Sequence, residues 1–133
     1  MRKHEEKMNG FTLIELLIVI AIIGILASIV LVGLGGAKVK AKDASFKSSI
    51  TSIQPGIESC CVDMNPLGNT PGAEACVGGS VYPDASAVGT INVDLDCQND
   101  GTYQVTITPG VNNTGTCIDA IISSSTGITF SGC

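Results

Sequence analysis

The chain has 133 residues, which suits one small domain together with one membrane segment, and its twelve acidic and seven basic side chains give a net charge of −5. The chain has no tryptophan, and its single histidine is His4. The sequence after His4 therefore cannot supply a histidine base, a Ser-His or Cys-His pair, or a histidine metal ligand. No paired carboxylates stand out, and we therefore expect a protein that is not an enzyme and that has no cofactor.

The N-terminal part combines a charged leader with an apolar segment. Residues 16–37 are twenty-two consecutive uncharged residues, most of them aliphatic, and about twenty such residues span a bilayer as a helix. Three basic residues precede this segment and four follow it, so the positive-inside rule does not orient it. All cysteines lie beyond the segment, and disulfides form on the oxidising side of a membrane, which favours an external C-terminus.

Glu15 is the only charged residue between Met8 and Lys38. A carboxylate placed in hydrocarbon costs at least about 2.5 kcal/mol on insertion scales, so such residues usually have a function. The alternative is a carboxylate that snorkels to nearby lipid headgroups. Its setting favours a function, because Gly10 and Phe11 precede it and a spanning apolar segment follows.

The sequence GFTLIE at residues 10–15, with the aliphatic run after it, closely resembles the class III signal of type IV pilins and type II secretion pseudopilins. The resemblance covers residues 10–31. It implies cleavage between Gly10 and Phe11 by a prepilin peptidase, N-methylation of Phe11, and assembly into a helical homopolymer by inner-membrane machinery. It also implies that Glu15 pairs with the free amine of Phe11 in a neighbouring subunit.

The helical pattern continues beyond the apolar segment. Apolar residues recur at spacings of seven, four, three and four, which is one stripe along a helix: Val39, Phe46, Ile50, Ile53 and Ile57. A helix over residues 11–53 would be about 65 Å long at 1.5 Å per residue. Proline lacks the N–H that a helix needs, so Pro55 is expected to end or kink it.

The remainder predicts a loop and two hairpins. Residues 63–88, rich in Pro, Gly, Asn, Ala and Ser, predict a connecting loop pinned by Cys76. Alternating residues 91–97 and 103–107 predict a hairpin in which Val93 lies opposite Ile107, and residues 118–122 and 128–132 predict a second in which Ala120 lies opposite Phe130. Together they predict a four-stranded antiparallel meander whose apolar face covers the helix stripe.

An even number of cysteines in a small exported domain predicts three disulfides: the six residues are Cys60, Cys61, Cys76, Cys97, Cys117 and Cys133. Zinc is the competing interpretation, but there is no C-x-x-C pair. The register of the second hairpin places Cys117 opposite Cys133 and favours that bridge. Cys60 and Cys61 would then take Cys76 and Cys97 in either order, because bridging adjacent cysteines is strained.

The distribution of charge changes after Lys47, because no Lys or Arg follows it. Eight acidic residues do follow: Glu58, Asp63, Glu74, Asp84, Asp94, Asp96, Asp100 and Asp119. Phosphate backbones are bound mainly by Lys and Arg, so we expect no nucleic-acid binding by this part alone. Four lysines precede it: Lys38, Lys40, Lys42 and Lys47. They either face acids of a neighbouring subunit or form a solvated collar at the lipid headgroups.

Three acids crowd one predicted turn: Asp94, Asp96 and Asp100. Some major pseudopilins hold calcium in an acidic C-terminal loop, which makes a metal site the alternative here. The EF-hand pattern is matched only at Asp96, Asp100 and Gly101, so an acidic hairpin turn is the favoured interpretation and no metal is expected.

These observations predict an α+β protein in which a long N-terminal spine helix packs on a small disulfide-rich antiparallel sheet. The expected segments are a cleaved leader at 1–10, a transmembrane and filament-core half-helix at 11–37, an amphipathic half-helix at 38–62 and a globular head at 63–133. The resemblance implies an inner-membrane precursor that becomes the subunit of an extracellular type IV pilus for adhesion, motility or uptake. The alternative is a type II secretion pseudopilin; a tip or accessory pilin and a non-polymerising anchor are further possibilities.

Overall fold

The computed structural model describes residues 10–133, so residues 1–9 of the expected leader lie outside the described part of the chain. The elements are α1 (Leu13–Val62), β1 (Val88–Leu95), β2 (Gln104–Pro109), β3 (Asp119–Ser123) and β4 (Gly127–Ser131). The chain divides into two compact units, Met1–Gly35 and Gly36–Cys133. The predicted α+β class, with one long helix and a four-stranded antiparallel sheet, is confirmed.

The described part of the first unit is the apolar start of α1. Its Leu, Ile and Val side chains point outward all around the helix, and all residues from 10 to 35 are exposed. Among the described residues, α1 is the one helix long and apolar enough to cross a membrane. None of the described residues of this unit covers that surface.

In the second unit α1 is amphipathic, as its apolar stripe predicts. Phe46, Ile50, Ile53 and Ile57 are buried, whereas Val39 is 38% exposed, so the buried stripe begins at Phe46. Because an α-helix makes one full turn every 3.6 residues, these four side chains lie on one face, and they pack together against the sheet.

Of the two effects expected of Pro55, an end of the helix is wrong, because α1 continues to Val62 and contains the proline. Pro55 is exposed, and so is Thr51, the residue whose carbonyl loses its N–H partner. The next two residues, Gly56 and Ile57, are buried. Gly56 also allows a close approach, since a Cβ there would lie 2.5 Å from the Cβ of Ser80. Core packing of the last helical turns therefore outweighs the local effect of the proline.

The sheet has the predicted meander order β1-β2-β3-β4, with antiparallel neighbours. The register of the second hairpin is as predicted: Ala120 pairs with Phe130 and Ile122 with Ile128. These pairs hold the apolar side chains of β3 and β4 on the face that covers α1.

The register of the first hairpin differs from the prediction by two residues. Val93 pairs with Val105 rather than with Ile107, and the pairing is irregular between Val93 and Leu95. A shift of two keeps every side chain on its face. The chain leaves the strand after Leu95 because Cys97 is fully buried and bonded to Cys61, which lengthens the turn.

One core lies between the sheet and the second half of α1. Val105, Ile107 and Ile122 are fully buried against Phe46. The rings of Phe46 and Phe130 meet edge to face, with centroids 6.4 Å apart, a favoured aromatic geometry. The helix thus forms one layer and the sheet the other.

The segment between α1 and β1 is irregular, as predicted, apart from an isolated bridge between Glu74 and Val81. Its anchor is Tyr82, which is 1% exposed and was not anticipated as a core residue. Burial raises the pKa of the Tyr82 phenol to about 12. A long irregular segment can stay ordered when a large aromatic and a disulfide attach it to the core.

The core predicts a large cost for Phe46→Ala. Removing a buried phenyl ring loses transfer free energy and leaves a cavity, so unfolding free energy should fall by about 3–5 kcal/mol. Denaturant unfolding of the detergent-solubilised chain, followed by circular dichroism, measures it. Val39→Ala is the control, and an exposed substitution should stay within about 0.5 kcal/mol. Equal effects of the two variants would contradict the described core.

Candidate functional site

Gly10 and Phe11 lie before the first helical residue, Leu13. Phe11 is 80% exposed, and a Cβ built on Gly10 meets no atom within 4 Å. The bond between the two residues is therefore accessible, and no described residue requires a glycine at position 10. A requirement for glycine here would come from a molecule that binds this bond.

Thr12 and Glu15 form a capping box at the start of α1. Glu15 Oε2 accepts hydrogen bonds from the Thr12 backbone N–H at 2.9 Å and from the Thr12 hydroxyl at 2.7 Å, and the Glu15 N–H donates to Thr12 Oγ1 at 3.4 Å. Such reciprocal bonds satisfy N–H groups that have no partner within the helix. The T-x-x-E pattern was a readable signal for this cap that the sequence interpretation did not use.

Glu15 is exposed on a helix whose neighbouring side chains are aliphatic. Both hydrogen bonds that it accepts from Thr12 go to Oε2. Its other oxygen, Oε1, accepts no hydrogen bond from the described residues. The carboxylate thus both orders its own helix end and retains acceptor capacity for a donor from another molecule.

The cysteines form three bridges: Cys60–Cys76, Cys61–Cys97 and Cys117–Cys133. Their Cα atoms are 5.9, 5.3 and 4.4 Å apart. The third is the pair that the register of the second hairpin favours. The first two attach the irregular segment and the end of β1 to adjacent residues of α1, which resolves the order that the sequence left open.

Asp43 is a structural residue that the sequence interpretation missed. Its carboxylate accepts hydrogen bonds from the Thr116 N–H at 2.7 Å, the Thr116 hydroxyl at 2.6 Å and the Cys117 N–H at 3.0 Å. Gly115 permits this approach, because a Cβ there would lie 2.1 Å from Asp43 Oδ1. These bonds lower the pKa of Asp43, the Thr116 hydroxyl most strongly. They hold the segment before β3, next to the third disulfide, against α1.

The acids considered for a metal are not brought together. Each accepts a hydrogen bond from a different residue: Asp94 from the Thr106 hydroxyl at 2.6 Å, Asp96 from the Leu67 N–H at 3.3 Å and Asp100 from the Thr102 N–H at 2.9 Å. Over residues 10–133, no group of three His, Cys, Asp or Glu side chains is placed to hold a metal ion. Asp100 orders its own turn, whereas Asp94 bonds across to β2 and Asp96 bonds to the irregular segment before β1.

Comparison with known proteins supports the interpretation of the N-terminal residues. The family described as Prokaryotic N-terminal methylation motif matches residues 7–31. Type II secretion system core protein G of Escherichia coli (strain K12) is 35% identical over 83 residues, which are 62% of this chain and 57% of that protein. The core protein G of Aeromonas hydrophila is 37% identical over 62 residues, which are 47% of this chain and 43% of that protein.

A Probable minor fimbrial protein of Dichelobacter nodosus is 40% identical over 72 residues, which are 53% of this chain and 44% of that protein. The matches therefore span about half the length of these curated relatives. No solved structure matches the chain. The matched motif and these relatives together support a place for the chain in the type IV pilin and type II secretion pseudopilin family.

The four lysines that follow the apolar segment differ in their contacts. Lys47 Nζ lies 5.4 Å from the centre of the Phe130 ring, a cation–π contact, and Lys42 Nζ lies 3.5 Å from the Thr114 carbonyl oxygen. Lys38 and Lys40 make no hydrogen bond to a described residue and are exposed. The predicted collar is therefore divided into two lysines held by their own head and two that project into solvent.

The Asp43 contacts predict a pH-dependent loss of stability in Asp43→Asn. The folded-state pKa of Asp43 is lowered, so its stabilisation is present above the unfolded value of about 3.9 and is lost as pH falls through the folded value. Asp43→Asn should lower Tm at pH 7, and the difference from wild type should shrink below about pH 4. Thermal unfolding of the detergent-solubilised chain across this range measures it.

Asp63→Asn is the matched control for Asp43→Asn, because Asp63 is exposed and its side chain accepts no hydrogen bond from the described residues. It should leave Tm unchanged at every pH tested. A constant difference in Tm between Asp43→Asn and wild type down to pH 2 would show that the Asp43 charge does not help to hold the segment before β3 against α1.

Proposed function

We propose that the chain is a structural, non-enzymatic subunit of an extracellular type IV pilus, with adhesion, motility or uptake as the task of the filament. One observation carries this proposal: an accessible Gly10–Phe11 bond stands directly before a helix that is apolar all around. Cleavage there leaves the apolar helix on the mature protein. Such a surface needs either lipid or other apolar helices around it.

The proposed route begins with a single-pass precursor in the inner membrane. Residues 11–37 of α1 span the bilayer, and the head, residues 63–133, lies on the oxidising side where its three disulfides form. A prepilin peptidase removes residues 1–10, and Phe11 is then methylated on its new amine. Inner-membrane assembly machinery transfers the helix from lipid into a bundle of identical helices, which becomes the filament core.

Glu15 has a defined part in this transfer. Among packed aliphatic helices an unpaired carboxylate is costly, so a cation must accompany it. The amine of Phe11 in a neighbouring subunit is the proposed partner, and Oε1 of Glu15 is its acceptor. Because the capping box already holds Oε2 within the chain, one carboxylate serves both the helix end and the neighbour. Pairing between Glu15 and Phe11 of the same chain, one turn apart, is the alternative.

A second candidate is the pseudopilus of a type II secretion system, which the relatives named type II secretion system core protein G favour. Against it, Asp94, Asp96 and Asp100 each bond to a different residue, whereas some major pseudopilins hold calcium in an acidic C-terminal loop. Deletion of the coding sequence distinguishes the two: loss of surface filaments supports the pilus, and loss of protein secretion with surface filaments intact supports the pseudopilus.

Gly10→Val tests the processing step. Gly10 is uncrowded in this chain, so the valine should fold normally and interfere only where a peptidase must approach the backbone closely. We expect the full-length precursor to accumulate and filaments to be absent, as measured by immunoblot and mass spectrometry of membranes. Asn9→Val is a neighbouring control that should still be cleaved. A normal N-terminal Phe11 in Gly10→Val would refute the role of the glycine.

Glu15→Gln and Glu15→Leu together test whether the charge or the cap matters. Glutamine preserves the capping box but removes the charge, whereas leucine removes both. If the charge pairs with a neighbour, both variants should be cleaved and both should fail to assemble into normal amounts of filament. Sheared filaments quantified against cleaved membrane subunit give the measurement. Wild-type filament yield from Glu15→Gln would leave Glu15 only its capping role.

A further inference from the structure

The connection between β2 and β3 is fixed against the turns of α1 that directly follow the apolar segment. Asp43 binds its backbone, and a Cβ built on Gly115 would lie 3.1 Å from the Val39 carbonyl oxygen. Val39 is two residues beyond Ala37, the last of the uncharged run, which is about 3 Å along the helix. We call residues 38–43 of α1, together with residues 110–118, the base of the head.

The length of the apolar segment sets the level of this base relative to a bilayer. Residues 16–37 are twenty-two helical residues, about 33 Å long, and the hydrocarbon layer is about 30 Å thick. Ala37 therefore lies close to the edge of the hydrocarbon when the segment spans a membrane. The headgroup layer extends about 5–7 Å further on each side, which is the level at which Gly115 meets Val39.

Val111 presents an aliphatic side chain on this base and is 75% exposed. The residues on both sides of it are held by backbone hydrogen bonds. The Gly110 N–H donates to the Ala87 carbonyl oxygen at 3.1 Å, and the Asn112 N–H donates to the Ser86 carbonyl oxygen at 2.9 Å. The backbone thus fixes Val111 in an exposed position. A loop with an outward aliphatic residue is suited to the boundary between headgroups and acyl chains.

The lysines of the base lie on different sides of α1. At about 100° per residue, Lys38 and Lys40 are about 200° apart around the helix, so one protein groove could not bind both. A bilayer surface surrounds the helix that crosses it and can contact lysines on every side. Long lysine side chains near a membrane also extend their charged ends to the headgroups. The arrangement therefore fits a planar lipid surface.

The charge of the head is polarised along its length. The base contains three lysines and one acid, Asp43, which accepts hydrogen bonds from backbone N–H groups. The acids of α1 beyond Lys47 and those around the β1–β2 turn lie at the opposite end, which the Cys61–Cys97 bridge joins to the last turns of the helix. They are Glu58, Asp63, Asp94, Asp96 and Asp100. An anionic surface would thus attract the base and repel the other end.

We propose that the base binds the anionic phospholipid headgroups of the bilayer that α1 crosses. Val111 enters the boundary between headgroups and acyl chains, and Lys38 and Lys40 pair with lipid phosphates on opposite sides of the helix. The inference rests on the single-pass precursor of the proposed function but does not require the filament. The contact fixes the level of the head above the membrane before assembly, and it breaks when the subunit leaves the bilayer.

Photolabelling of the full-length wild-type chain in vesicles tests this contact. The vesicles contain phosphatidylethanolamine and phosphatidylglycerol, with a trace of phosphatidylglycerol that carries a diazirine next to its glycerol. Peptide mapping should find at least about fivefold more label in residues 110–118 than in residues 73–81. The second segment is the control, because its Val77 is 81% exposed but follows Cys76, which is bonded to Cys60, about 35 Å along α1 from Ala37.

The photolabelling has outcomes that separate this inference from the proposed function. Equal labelling of the two segments, or label confined to residues before Lys38, overturns the contact but leaves the filament role standing. Equal labelling of residues 110–118 when phosphatidylcholine replaces phosphatidylglycerol, in the probe as well, overturns the selectivity for anionic lipid. A chain that alkaline carbonate extracts from the vesicles overturns the single-pass precursor and this inference together.

Tryptophan fluorescence provides a second readout, because the chain has no tryptophan of its own. Val111→Trp and Val77→Trp replace exposed residues, so both variants should fold. Lipids with brominated acyl chains should quench Val111→Trp at least about threefold more strongly than Val77→Trp. Adding Lys38→Gln and Lys40→Gln to Val111→Trp should reduce that quenching about twofold in vesicles that contain phosphatidylglycerol. Equal quenching at the two positions, or quenching at 111 that does not change without the two lysines, contradicts the proposal.

Discussion

The structure depends on one constraint. Residues 11–34 present an apolar surface around the whole helix, and exposure of that surface to water is unfavourable. Under the proposed function, lipid covers this surface in a membrane, and other copies of the same helix cover it in a filament. Glu15 is the one charged residue in this surface. The free-energy cost of its carboxylate differs between lipid and a bundle of helices. Under the proposed function, a neighbour's amine would hold this carboxylate better among helices than lipid does, and this difference would give assembly a direction.

The head is a small domain with few aromatic residues, so its hydrophobic core alone gives limited stability. Its core is a single layer of side chains between α1 and the sheet, centred on Phe46, Ile50 and Ile107. Disulfides compensate by joining α1 to the irregular segment and to the end of β1, and by closing the last hairpin. Asp43 adds a polar attachment beside the third bridge, where backbone N–H groups would otherwise lack partners.

Much of this was readable from the sequence because it depends on periodicity. The spine helix, the buried stripe from Phe46 and the second hairpin with Ala120 opposite Phe130 all follow from residue spacing. The features that the sequence did not predict depend on tertiary contacts. Tyr82 is buried from an irregular segment, Asp43 acts through a loop seventy-three residues away, and Pro55 is tolerated because its neighbours pack in the core. The first hairpin shifted because Cys97 must reach Cys61.

The central claim is that the chain is cut before its apolar helix and then becomes part of a filament. Intact mass spectrometry of filaments sheared from cells, before and after reduction, tests this most directly. The account predicts a subunit that begins at N-methylated Phe11 and gains six hydrogens on reduction, because it contains three disulfides. Filaments that lack the chain, or that contain it with residues 1–10 still attached, would contradict the account.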